Sequence, residues 1–131
     1  MADASYPQDL LYHPEHDWAR IDPGDDEVAT LGITWFAQDA LGEVVFFDPP
    51  SVGTAITAGE SYTEVESVKA VSDVVAPLSG EIVETNDALG DTPEAINDDP
   101  YGEGWMVKVR LSDPSETGDL LDAAAYQATL G

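Results

Sequence analysis

The stretch SYTEVESVKAVSDVVAP, residues 61–77, decides the fold. SYTEVES rises into Lys69 and VSDVVAP leaves it. Two short β-branched runs with a lysine near their midpoint read as a β-hairpin. Gly59 and Gly80 mark turns at its outer ends. The symmetry about the lysine is weak and is not a sequence repeat. The chain has four Lys and Arg in all against 27 Asp and Glu, so a cation at this point needs a reason. One reading is an ordinary solvated lysine. The other is an exposed amine on a rigid base, reachable by a lysine-modifying enzyme. Acylation there would abolish the charge and leave a long neutral arm. On these residues alone both readings stay open.

The pattern of short strands and turns continues on both sides. Residues 18–21 and 28–33 are strand candidates separated by the turn-rich DPGDD, residues 22–26. TWFAQDALG predicts a short helix. Thr34 suits its N-cap, Phe36, Ala40 and Leu41 fall at helical spacing, and Gly42 supplies the left-handed C-terminal position. EVVFFD, residues 43–48, is a strand that the prolines of PPSVG stop. GEIVETN, residues 80–86, and WMVKVRL, residues 105–111, alternate as strands do. TPEAIND predicts one helical turn with Pro93 at its first position, and DDPYGEG a loop. DLLDAAAYQATL reads as a terminal helix capped by Asp119 or Asp122. Trp18, Trp35 and Trp105 are assigned to packing.

At 131 residues and 43% apolar content the chain suits one domain, taken as residues 1–131. Without cysteine it can form no disulfide, thiolate nucleophile or zinc–thiolate site. MADASYPQDL has neither a basic n-region nor an apolar h-region, so no secretory signal is expected and a cytoplasmic location is. No apolar run approaches the length of a bilayer span. A formal charge of −23 argues against nucleic acid and anionic membranes as partners, since phosphates would be repelled. The charge itself reads either as a solvation strategy for a salt-rich cytosol or as an acidic docking surface.

Motifs for catalysis are missing. There is no GxSxG, GxGxxG or P-loop. His13 and His16 in YHPEHDW stand three residues apart, with Glu15 and Asp17 nearby, but Pro14 argues against a helix presenting both rings to one metal. No metal site is expected. Paired carboxylates are uninformative in so acidic a chain.

Beyond its lysine, the stretch EVESVKAVSDVVAPLSGEIVETN resembles the lipoyl-attachment region of the glycine cleavage system H protein family. YHPEHDW resembles that family's Y-x-x-x-H-E-W, with Asp17 where glutamate is usual. GITWFAQDALGEVVFFDPPSVG, PEAINDDPYGEGWMVKV and LLDAAAYQATL resemble further family blocks, in order and with similar spacing. Phe36 stands where some members have a polar residue, and Pro49-Pro50 where Leu-Pro is usual.

The resemblance implies a mainly β, barrel-sandwich hybrid with a few short helices and a C-terminal helix. It implies a carrier, not an enzyme, with lipoate in amide linkage on Lys69. The expected partners are a glycine decarboxylase (P protein), an aminomethyltransferase (T protein), a dihydrolipoyl dehydrogenase (L protein) and lipoate-attachment enzymes. These dock transiently, so a monomer is expected. Glu66 matches the acid three residues before the modified lysine and is assigned to recognition by the attachment enzyme. Asp17 and Asp73 match cleft positions that hold the cationic aminomethyl arm, although plain surface acid is the alternative for both. An H-like protein that relays lipoate or octanoate to other lipoyl domains would use the same Lys69. Three further readings stand beside these. A biotin carrier would have methionines flanking the lysine, where Val68 and Ala70 stand. A small acidic enzyme built on His16 or a carboxylate pair would act independently of Lys69. An interaction domain would leave the lysine unmodified.

Overall fold

Alternation of apolar residues puts more of this chain into short antiparallel strands than into helices. A computed structural model describes residues 6–130. The first five residues of the stretch read for a secretory signal lie outside the described residues. In chain order the strands are β1 (Leu11–His13), β2 (Asp17–Asp22), β3 (Asp25–Ile33), β4 (Val44–Phe47), β5 (Ala55–Ile56), β6 (Ser61–Ser67), β7 (Val71–Val75), β8 (Gly80–Thr85) and β9 (Val107–Leu111). The helices are α1 (Trp35–Leu41), α2 (Ala88–Asp91), α3 (Ala95–Asp98) and α4 (Ala123–Leu130), with a 3₁₀ segment at Pro114–Asp119.

Two sheets form. The larger has the order β1-β2-β3-β9-β8-β5 and the smaller β4-β6-β7. Every pairing is antiparallel. Their inner faces share one core, in which Ala19, Leu31, Ile82 and Val109 meet Val44, Phe47, Val65 and Val74. Burying these side chains is the main stabilising term, at roughly 25 cal/mol per Å² of apolar surface removed from water. A second cluster of Leu10, Tyr12, Trp18 and Tyr126 binds α4 to the outer side of β1 and β2. Gly32 belongs to this layer: a Cβ there would meet the Trp18 ring at 2.7 Å. This mainly β sandwich with short helices is the architecture expected from the sequence.

The caps follow the local signals. The Thr34 side chain accepts from the Ala37 N–H, and Gly42 takes φ +81° with its N–H on the Gln38 carbonyl. Of the two candidates at the last helix, Asp122 is the cap, with Oδ1 accepting from Ala125 N–H at 2.8 Å. The turn around Pro93 differs from expectation. Tight bonds from Ala95 to Thr92 and from Ile96 to Pro93 place Pro93 in a lead-in turn, so α3 starts two residues later. The strands β1 and β5, the helix α2 and the 3₁₀ segment carry too few residues to show a period and were not anticipated.

Candidate functional site

The hairpin of β6 and β7 is closed by a tight loop. Ser67 N–H donates to the Ala70 carbonyl at 2.7 Å, and Ser67 Oγ accepts from Ala70 N–H at 3.1 Å. Val68 N–H donates to the Glu43 carbonyl at 3.0 Å, which fastens the tip to the start of β4. Lys69 projects from this braced loop and is exposed. Its stem crosses Gly42, where a Cβ would lie 3.4 Å from Lys69 Cε. The other cations have partners. Lys108 pairs with Glu84 at 3.9 Å, Arg110 with Asp25 and Glu27 at 3.6 and 3.9 Å, and Arg20 lies over Trp18 and bonds the Tyr101 carbonyl. Among the described residues Lys69 has no ion pair. Its amine is therefore braced at the base and untethered at the end.

Asn97 supports the ground under that lysine. Its Oδ1 accepts from Val44 N–H at 2.8 Å, and its Nδ2 donates to Gln38 Oε1 and the Gly42 carbonyl at 2.9 and 2.8 Å. The end of α1 and the start of β4 are thus held by one side chain from α3. Sequence reasoning gave Asn97 no role, because nothing in its neighbourhood marks the strand it reaches.

Beside the hairpin runs a cleft of about 320 Å³ between β7 and α1. Ile33, Phe36, Leu41, Val65 and Val74 contribute apolar walls. Asp17 and Asp73 both line it. They differ in setting. Asp17 shares its strand face with Ala19 and Ile21, the face turned to the core, and is only 2% exposed. Its Oδ2 has no hydrogen-bond partner. Burial pushes this carboxyl well above the ordinary range, and the charge of Glu15 adds to the shift. The Tyr62 hydroxyl is raised as well, by its burial and then by Asp17. A buried carboxyl without a donor is chemically prepared to receive one, above all a cationic one. Plain surface acid does not describe Asp17. Asp73 is exposed, at the rim.

Glu66 is not part of this cleft. Register places it between Phe46 and Val71 on the outer face of the small sheet. A shallow groove there is lined by Phe46, Asp48, Thr63, Glu64, Glu66 and Val71. Phe46 is 53% and Val71 59% exposed, so Glu66 stands between two exposed apolar side chains in an otherwise polar groove.

The two histidines diverge. His13 Nδ1 accepts from Glu15 N–H at 3.0 Å. His16 lines the cleft instead, its ring tilted against Phe36 with centroids 4.5 Å apart and Nδ1 2.7 Å from the Tyr126 hydroxyl. Among the described residues no three His, Asp or Glu side chains are grouped to hold a metal.

A family model described as "Glycine cleavage H-protein" matches residues 10–131. The chain belongs to the glycine cleavage H-protein family. Glycine cleavage H-proteins are the carrier subunits of that system. The chain is similar to the H protein of Symbiobacterium thermophilum, 52% identical over 125 residues and 95% of each chain. It is 50% identical over 127 residues to the H protein of Escherichia coli O7:K1, covering 97% of each. A crystal structure of the glycine cleavage system H protein from Mycobacterium marinum superposes with a TM-score of 0.86 at 44% identity, covering 95% of this chain and 98% of that one. The H-protein assignment accounts for the mainly β fold. No helix among the described residues is long and apolar enough to cross a membrane.

Proposed function

We propose that this chain, acting as one unit over residues 1–131, is the lipoyl carrier of glycine cleavage, with lipoate in amide linkage on Lys69. The observation that carries the reading is Lys69 itself: exposed, unpaired among the described residues, and mounted on a hydrogen-bonded hairpin tip beside a cleft. These residues fit a lipoyl group. The tip offers a reachable amine, and the cleft has apolar walls with an unpartnered carboxyl in its depth. When bound, lipoate supplies the disulfide that takes the aminomethyl group of glycine at the P protein, presents it to the T protein and is reoxidised by the L protein.

The protein's own part is reach, shelter and docking, and it performs no catalysis. An arm of lysine plus lipoyl sweeps roughly 14 Å. Tethering keeps its end at a high effective concentration near a docked partner. Asp17, buried and without a donor, and Asp73 at the rim hold the cationic end by charge. Glu66, on the opposite face, gives the attachment enzyme a recognition point next to the lysine. Partners dock transiently on a monomer in the cytoplasm.

Intact mass and peptide mapping test this on protein made with lipoate available. The expected result is a gain of about 188 Da confined to Lys69, absent in Lys69→Arg. About 226 Da on Lys69 would signal biotin and overturn the reading. So would an unmodified lysine in a host that lipoylates other substrates.

A further inference from the structure

His16 combines three features that the carrier reading leaves unexplained. It is the non-glycine residue with positive φ among those described, at +75°. It directly precedes the buried, unpartnered Asp17. And its ring is tied to a residue 110 positions away: Nδ1 lies 2.7 Å from the hydroxyl of Tyr126, on α4. Left-handed backbone at a non-glycine residue persists where surroundings over-determine it, and such residues gather at ligand clamps.

The surroundings here are specific. His16 N–H donates to the His13 carbonyl at 2.9 Å, and the His16 carbonyl accepts from Thr34 N–H at 3.1 Å. The Tyr126 hydroxyl also lies 2.9 Å from Thr34 Oγ1, the side chain that caps α1. One phenol thus joins the turn before Asp17 to the helix that walls the cleft. Tyr126 is fully buried and stacked on Tyr12 at 4.9 Å, so its hydroxyl is well placed to hold both. The phenol is the stronger acid and the imidazole nitrogen the stronger base. Of the arrangements these distances allow, the one that matches stronger acid to stronger base has Tyr126 donating to His16 Nδ1 and Thr34 donating to Tyr126, while Ala37 N–H donates to Thr34. Burial lowers the imidazole's affinity for a second proton, against a smaller opposite pull from Glu15, which suits its acceptor role.

We propose that His16 is a positioning residue for the cleft, locked by the Tyr126 hydroxyl, and that this lock holds Asp17 where it receives the cationic end of the arm. The proposal rests on the carrier reading. It assigns the terminal helix a function: through one hydroxyl it sets a cleft to which it contributes no wall.

Retention of a loaded arm tests it. Lipoylated protein is reduced with a phosphine and treated with formaldehyde and ammonia. The thiol and the ammonia each lose one hydrogen, S–CH₂ and CH₂–N bonds form, and the formaldehyde oxygen leaves with those two hydrogens as water. Hydrolysis reverses this, returning thiol, formaldehyde and ammonia, and is followed by intact mass. Tyr126→Phe and His16→Gly should lose the group roughly fivefold faster than the unsubstituted protein, the effect of about one hydrogen bond. His16→Asn tolerates positive φ and keeps a side-chain acceptor, so it should restore retention to within about twofold. Imidazole ¹⁵N shifts of unlipoylated protein give a second readout. The hydrogen-bonded Nδ1 signal of His16 should be present and should vanish in Tyr126→Phe. Wild-type retention in both Tyr126→Phe and His16→Gly, with faster loss in Asp17→Asn, overturns the positioning role and leaves the cleft standing. Wild-type retention in Asp17→Asn itself overturns the cleft reading and this proposal with it.

Discussion

Asp17→Asn should make this protein more stable at neutral pH. The wild-type carboxyl is 2% exposed, its Oδ2 has no donor, and burial has raised it well above the ordinary value of 3.8. Between that ordinary value and the raised one, the folded chain holds a proton that the unfolded chain has released. Stability therefore falls as pH rises through this interval and stays lower above it. Asparagine has the same shape and no charge to desolvate. Either side chain is left unpaired here, and an unpaired buried group costs about 1–3 kcal/mol when neutral and more when charged, so the variant gains only the excess. Taking about 2 kcal/mol, and the usual unfolding entropy per residue, the melting temperature of a 131-residue chain rises by about 7 °C. Thermal unfolding of both proteins from pH 3.5 to 8 checks this. The gain should be near zero at the acid end, where both side chains are neutral, and grow as pH rises. Other titrations are common to both proteins and cancel in the difference. Equal stability at pH 7, or a gain independent of pH, would refute the reasoning. Faster loss of a loaded arm in the same variant would show stability given up for binding.

Asn97→Ala leaves Val44 N–H and the Gly42 carbonyl without their side-chain partner, so denaturant unfolding should show a loss of about 2–3 kcal/mol. Gly80→Ala would place a Cβ 2.2 Å from the Arg110 carbonyl oxygen, a backbone atom that cannot swing away. The β8–β9 pairing should be disrupted by about 3 kcal/mol or more, read as a lowered melting temperature. Added neutral salt should raise the melting temperature, because screening relieves the repulsion implied by a net charge of −23. Titration from 0.05 to 1 M, with flat or falling stability as the contrary result, tests that.

Local signals account for what was legible beforehand. The hairpin around Lys69, the Thr34 cap and the Gly42 stop are each written within a few neighbouring residues, and the structure has them where those residues stand. Elements that depend on distant partners were not legible. The strand β1 is three residues long and exists because Tyr12 is buried against α4 and Trp18. The start of α3 shifted because tight bonds from Ala95 to Thr92 and from Ile96 to Pro93 lead into it, a detail of geometry that composition does not carry.

The candidate site divides along the same line. Sequence by itself determined the lysine, the turn that presents it and the family to which the chain belongs, because these reside in contiguous motifs. Only the tertiary structure decided what each acid faces. Strand periodicity says that Asp17 and Ala19 share a face, but whether that face looks to water or to the core depends on where the small sheet packs. The same packing leaves Glu66 outside the cleft and Asp73 at its rim. It also brings Tyr126 to His16 across 110 residues. Charge in sequence is a formal count, whereas the work a charge does is set by the water and donors around it, and those are fixed only when remote segments come together.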